Sequence, residues 1–338
     1  MKGFCDTKRT MSISEITCRL SVLKLTRAFE TGKPYGRKIF LFTFVLIHLL
    51  VPDHSESAAL KVTWDAVQVK PGGVVVMNVY SPIRLMAAEA ATGQDRFPLL
   101  KVDEENYAAL VGIDVRLKTP TLPVDFTLFP AKGGAPYRIR ADMKIRGNVS
   151  RAAKVQKLSL PSGMVDLSQK RLDQVRKDNR SLGEMLATRS RERYWENGFL
   201  LPVQGRVTTR FGIGRVLNGK PRSSHSGVDL AAKKGTPVLG ANSGKVRLAD
   251  DFYLSGKTVV VDHGWGVSTI YAHLDRIDVR EGQEVERGQV LGTVGATGRA
   301  TGPHLHFGAF IRGAKIDPLK LIEVTKSLGI QEPEAGSK

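Results

Sequence analysis

The 338-residue sequence is poor in cysteine. It has two, Cys5 and Cys18, and both precede an apolar run at Ile39–Val51. Everything after that run has none, which excludes a thiol nucleophile, a disulfide framework and a cysteine zinc site there. Long hydrophobic runs are also missing: Ile39–Val51 is short for a bilayer span. Acidic charge is scarce, with 33 Asp and Glu against 51 Lys and Arg, a formal net charge of +18. Such an excess points to an anionic partner such as nucleic acid, a membrane surface or a cell-wall polymer. No array of interleaved aromatic and basic residues is present, so a nucleic-acid partner is a poor fit.

Arg37 and Lys38 precede the apolar run, and Ser57 and Ala59 stand at A-x-A-like spacing before Leu60. That order of charge, apolar run and small residues is expected of an export signal cleaved after about Ala59, or of a retained segment that attaches the chain to a membrane. Residues 1–59 are therefore read as an N-terminal extension with a signal peptide or anchor.

From 60 to 160 the sequence alternates with strand periodicity, as in "GVVVMNVYS", "LPVDFTLFP" and "YRIRADMKI", with turn signals at Pro71-Gly72-Gly73 and Gly133-Gly134. A mainly β fold is expected, beginning with an immunoglobulin-like β-sandwich. Over 161–198 the period changes. Leu172, Val175, Leu182, Met185 and Leu186 fall at helical spacing after Ser168, a candidate N-cap, and this stretch reads as a helical connector. Residues 199–322 are glycine-rich short strands with almost no helix signal, expected to form an antiparallel β-sheet folded on itself. A polar tail, 323–338, follows.

The third region concentrates histidine. In "GPHLHFGAF" His304 and His306 are two apart on a strand, so they share a face and stand about 7 Å apart. That spacing suits one metal ligand and one neighbour, or simply a strand whose histidines face solvent. In "SSHSGVDLAA" His225 and Asp229 are four apart, about 13 Å on a straight strand. Gly227 permits a turn that could bring them together. With His306 they make two histidines and one carboxylate, a ligand composition found in catalytic zinc sites. His273, in "STIYAHLDRI", is placed by strand alternation on the face opposite Ile270. With His304 it supplies imidazoles for the proton transfer and oxyanion stabilisation that metal-assisted hydrolysis needs. His263, in "VVVDHGWG", reads as structural.

The segments "HSGVD", "YAHL" and "GPHLHFG", in that order, resemble the lysostaphin/LytM-type zinc endopeptidases of peptidoglycan over about residues 200–322. The resemblance implies zinc held by His225, Asp229 and His306, with His273 and His304 as the catalytic pair and 199–322 as the zinc peptidase domain. It also implies peptidoglycan as the partner and a location in the periplasm or cell envelope. Some relatives lose ligands and act as non-catalytic activators of wall amidases; here all five residues are present. A biotinyl or lipoyl carrier, suggested by "EGQEVERGQVLGTVG", lacks the lysine-bearing tip such a domain needs and leaves the histidines unexplained.

Overall fold

A computed structural model describes residues 60–64, 69–146, 155–159, 162–187, 190 and 192–326. The readings of 1–59 and of the tail beyond Lys326 lie outside the described residues. The chain is mainly β, and among the described residues no helix is long and apolar enough to cross a membrane.

The first eight strands are β1 (Lys61–Trp64), β2 (Val74–Tyr80), β3 (Leu85–Thr92), β4 (Asp95–Pro98), β5 (Leu100–Lys101), β6 (Asn106–Gly112), β7 (Thr121–Pro130) and β8 (Tyr137–Lys144). They form two four-stranded antiparallel sheets, β1-β2-β6-β5 and β4-β3-β7-β8. Alternation decides the faces: in β8, Ile139, Ala141 and Met143 are buried while Arg138, Arg140 and Asp142 are exposed. The inward residues Met77, Val79, Val111, Phe126, Leu128 and Met143 belong to one core.

The connecting stretch contains β9 (Val155–Leu158), α1 (Ser162–Val165) and α2 (Gln169–Leu186). Residues 155–158 fall in the stretch read as sandwich, yet β9 leaves those sheets and pairs, in parallel, with a strand of the third region. The expected connector helix is present as α2. Leu182, Met185 and Leu186 pack it onto the C-terminal sheet, whereas Leu172 stays 38% exposed. Ser168 occupies the N-cap position with extended backbone but makes no side-chain cap bond. Instead the helix is tied down by Asp178, whose Oδ2 accepts from the Tyr253 backbone N–H at 2.9 Å.

The third region comprises β10 (Val207–Thr209), β11 (Gly214–Leu217), β12 (Lys220–Arg222), β13 (Val228–Ala231), β14 (Pro237–Leu239), β15 (Gly244–Phe252), β16 (Gly256–Asp262), β17 (Val267–Ile277), β18 (Glu284–Val285), β19 (Val290–Val294), β20 (His304–Ile311), β21 (Ala314–Ile316) and α3 (Pro318–Lys326). The main sheet runs β10-β13-β20-β17-β16-β15-β18, with β19 bridging β14 and β17. A small sheet, β12-β11-β9, lies beside it. Helix α3 was not foreseen and runs four residues into the stretch read as a polar tail. It buries Leu321 and Ile322, and its Thr325 Oγ1 accepts from the Phe199 N–H at 3.0 Å, so its apolar side is spoken for by packing.

Both halves contribute to one continuous core. Gly112 of β6 shows how tightly they meet: a Cβ there would stand 2.8 Å from Ile311 Cβ of β20.

Candidate metal centre and catalytic pair

Strand β20 lies between β13 and β17, and this order assembles the site. In the antiparallel register Asp229 of β13 is directly opposite His306 of β20, and Ala231 is opposite His304. Cross-strand partners share a face, so Asp229, His304 and His306 converge on one surface.

His225 joins them from the segment before β13. Its backbone N–H donates to the Ile213 carbonyl at 2.8 Å, and its Nδ1 is 3.1 Å from the Arg210 carbonyl. Gly227, between His225 and Asp229, does not adopt the left-handed backbone that the expected turn would use. It serves close approach: a Cβ there would lie 2.3 Å from the Phe307 carbonyl oxygen. The chain can therefore lie flat against β20 and deliver His225 and Asp229 to one point.

Three ligand atoms meet there. His225 Nε2 is 2.9 Å from Asp229 Oδ1 and 2.9 Å from His306 Nδ1, and His306 Nδ1 is 3.0 Å from the same Asp229 oxygen. A carbonyl only accepts, so the Arg210 contact places the proton of His225 on Nδ1 and leaves an Nε2 lone pair facing the triangle. At most one proton, on His306 Nδ1, then fits inside it. A divalent cation would accept all three lone pairs, and the donor set of two imidazoles and one carboxylate suits zinc. Ligand atoms around a tetrahedral zinc stand about 3.3 Å apart, so the triangle needs to open by only a few tenths of an ångström.

The charges are arranged accordingly. Burial alone would raise the Asp229 carboxyl, but the His225 and His306 imidazoles against it outweigh burial and hold it below the ordinary carboxylate range. Burial pushes His225 down to about 4, with His306 adding to the effect and Asp229 opposing it. Both His225 and Asp229 are therefore in their metal-binding protonation states near neutral pH.

His273 reaches the same surface by an irregularity. On β17, Tyr271 pairs with Val259 of β16 and Leu274 pairs with Lys257, so three steps on one strand match two on the other. The extra residue is a β-bulge, and His273 sits in it with φ +62°, a conformation costly for an L-residue. The consequence corrects the expectation from alternation. Ile270 packs with Phe310, on the His306 face of β20, whereas Tyr271 and Leu274 point into the main core. Ala272 opposes His306, and the bulge lets His273 follow it onto that face, the same side as Ile270. The His273 and His304 rings lie 4.8 Å apart, and those of His273 and His306 6.1 Å apart.

The two rings are oriented alike. His273 Nδ1 is 2.8 Å from the Thr297 carbonyl and His304 Nδ1 is 2.8 Å from the Gly302 carbonyl. Each carries its proton on Nδ1 and leaves Nε2 free, and His304 Nε2 is 3.8 Å from Asp229 Oδ1. Burial, with His306 and His304 beside it, pushes His273 down to about 3. His263 takes no part: it is fully buried, between the Ser243 carbonyl and Thr269 Oγ1, each at 2.8 Å.

Two contributors were not visible in the sequence. Arg215 of β11 donates from Nη2 to Asp229 Oδ2 at 2.9 Å, which turns Oδ1 toward the histidines. Thr297 holds His273 by its carbonyl while its Oγ1 donates to the Leu274 carbonyl at 2.7 Å and accepts from the Lys257 N–H at 3.0 Å. The only hint of Thr297 was its place in the glycine-rich loop leading into "GPHLHFG"; Arg215 gave none. All five candidate residues, together with Arg215, line one cleft of about 460 Å³.

Among known proteins, the family model of peptidase family M23 matches residues 223–318. Peptidoglycan DD-endopeptidase ShyB of Vibrio cholerae is 42% identical over 105 residues, covering 31% of this chain and 25% of that protein. DD-carboxypeptidase/endopeptidase Mpg of Neisseria meningitidis is 41% identical over 104 residues, 31% of this chain and 24% of that protein. The matched stretch thus spans about a quarter of the length of these curated relatives. The crystal structure of a putative peptidase M23 from Pseudomonas aeruginosa aligns with TM-score 0.58 and 29% identity, covering 75% of this chain and 95% of that one. Residues 223–318 thus match a peptidase M23 domain.

Proposed function

We propose that this chain, carrying a family M23 peptidase domain, is a zinc-dependent endopeptidase that hydrolyses peptide bonds in peptidoglycan. The observation that carries the reading is the triangle of His225 Nε2, Asp229 Oδ1 and His306 Nδ1, with sides of 2.9 to 3.0 Å, beside two further imidazoles, His273 and His304, each held through Nδ1 by a backbone carbonyl. When bound there, zinc supplies Lewis acidity, polarising a scissile carbonyl and bringing the pKa of a water to about 7.

The protein's own groups do the rest. Arg215 fixes the Asp229 carboxylate, and the Arg210 carbonyl fixes the His225 tautomer. His273 and His304 are each held through Nδ1 by a backbone carbonyl, with Nε2 directed at the cleft. One of them accepts the proton of the attacking water and returns it to the leaving amine. The other, carrying on Nε2 a proton taken up from solvent before the step and kept through it, donates to the oxyanion that forms at the carbonyl. Asp229 and Ala231 of β13 and His304 and His306 of β20 line the cleft, a row that suits an extended peptide.

The relatives' names, a peptidoglycan DD-endopeptidase and a DD-carboxypeptidase/endopeptidase, support peptidoglycan as substrate. A D-alanyl cross-link to a diamino acid is the first assignment of the bond and a glycyl bridge the second. A location in the periplasm or cell envelope follows from that substrate and from the charge and apolar order of residues 37–59. The paired N-terminal sheets, read as an immunoglobulin-like sandwich, position the cleft on the wall or limit access to it.

Digestion of purified sacculi by the full chain, with the released peptides identified by mass, tests the reading. Zinc-dependent release of uncrosslinked stem peptides is expected. Bound zinc with no release from sacculi or soluble muropeptides would return the protein to the non-catalytic, amidase-activating alternative.

A further inference from the structure

The cleft is lopsided in charge. Arg215, Arg222 and Arg299 line it, and Asp229 is its one carboxylate. Two of the three guanidinium groups are engaged: Arg215 on Asp229 Oδ2 at 2.9 Å, and Arg222 on the Val165 carbonyl at 3.0 Å. Arg299 is different. Arg222 and Arg215 repel it, and the group that opposes them is the Tyr253 phenol, with no carboxylate among the described residues doing so. Burial and this repulsion push its pKa down. A half-buried guanidinium facing two others is a costly arrangement to keep unless an anion completes it.

Its backbone is placed with care. Thr297 gives its carbonyl to His273, Gly298 follows with φ +70°, and the Arg299 N–H donates to the Leu254 carbonyl at 2.9 Å. At Gly298 a Cβ would lie 2.3 Å from the Gly256 N, so the loop is pressed against its neighbour. The same short segment that orients His273 therefore also fixes where Arg299 emerges into the cleft.

We propose that Arg299, backed by Arg222 and Arg215, is a specificity-determining subsite that binds a free carboxylate of the peptide next to the scissile bond. The inference rests on the peptidase reading and adds a substrate class to it: acidic cross-links are taken, and glycyl bridges, which carry no carboxylate beside the cut, are disfavoured. The carboxylate could belong to the diamino acid at the cross-link or to the C-terminus of the stem, and separate amidation of each distinguishes them.

The test compares kcat/KM of the full zinc-loaded chain on a cross-linked muropeptide and on its two singly amidated forms. Amidation at the recognised position should lower kcat/KM by about 10- to 100-fold, mainly through KM. Arg299→Gln should lose a similar factor on the acidic substrate and at least tenfold less on that amide, with zinc content unchanged. Arg299→Lys should recover part of the loss, since a point charge replaces the planar fork. Equal rates on acid and amides, or an equal loss by Arg299→Gln on both, would overturn the subsite while leaving the peptidase reading intact. No cleavage of any form by the wild type would overturn both.

Discussion

The N-terminal sheets and the C-terminal sheet draw on the same strand-forming residues but treat regularity differently. In the first, β2 and β6 pair over seven residues and β7 and β8 over eight without a shift of register, and the shift lies in one pair, β3–β7, between Leu85 and Ala87. Ser81 is the one buried polar residue among the described residues of 60–146. In the second, five strand pairs contain a register shift, and buried polar side chains include His225, Asp229, Asp262, His263 and Thr269. Among the described residues, the non-glycine residues with positive φ, His273 included, also lie there. Departures from the ideal sheet are thus more frequent in the C-terminal region, and one of them, the bulge at His273, aims a side chain into the cleft.

That contrast can be pressed at four places. The largest effect is expected at the bulge. His273→Ala should lower turnover by roughly 10²–10⁴-fold while zinc stays bound, because the residue lies outside the ligand triangle. Activity assays on a cross-linked muropeptide, paired with metal analysis, check it; loss of zinc would mean that the bulge serves the ligand set instead.

Next is His263, a buried polar group without a role in the cleft. Burial pushes it down to about 4 from an ordinary 6.5. Between these values the unfolded chain holds a proton that the folded chain refuses, so stability falls as pH drops from 6.5 toward 4. His263→Gln should shrink the wild-type stability difference between pH 7 and pH 4.5 by about 2 kcal/mol, measured by urea unfolding of the metal-free protein. An unchanged difference would show that another group carries the pH dependence.

A smaller effect is expected at Arg215. Arg215→Met leaves Asp229 Oδ2 without its donor and should weaken zinc binding by about 10- to 100-fold in a competition titration with a chelator. Unaltered affinity would remove Arg215 from the metal centre. The smallest belongs to the regular sheets: Arg140 pairs with Asp125 across β7 and β8 at 2.7 Å, with the side chains 63% and 48% exposed. Exposed pairs of this kind contribute little, and Arg140→Ala should leave the urea midpoint unchanged. A clear drop would contradict the picture of an easily tolerated scaffold surface.

The sequence made some of this legible and hid the rest for identifiable reasons. His304 and His306 share a face because strand periodicity is local, and the β20 register bears that out. His225 and Asp229 converge as their composition suggested, but through close approach at Gly227 and not through a turn. The face of His273 was misread because a bulge depends on the partner strand: two residues of β17 match one of β16, which no alternation pattern within β17 records. Arg215 and Arg299 act from separate strands and loops that only the tertiary fold brings to the cleft. The mainly β character and connector helix α2 follow from periodicity. The pairing of β9 with β11 and the burial of α3 are long-range choices that periodicity does not encode.

The central claim is the division between three residues that hold zinc and two that move protons, and the neighbours His306 and His304 test it most directly. Zinc content by mass spectrometry and turnover of a cross-linked muropeptide should be measured together for His306→Ala and His304→Ala. The account predicts that His306→Ala loses zinc and activity together, because two protein ligands rarely retain a catalytic zinc. His304→Ala should keep near-stoichiometric zinc and lose turnover by about 10²–10⁴-fold. Zinc retained in His306→Ala, or full turnover in His304→Ala, would contradict it.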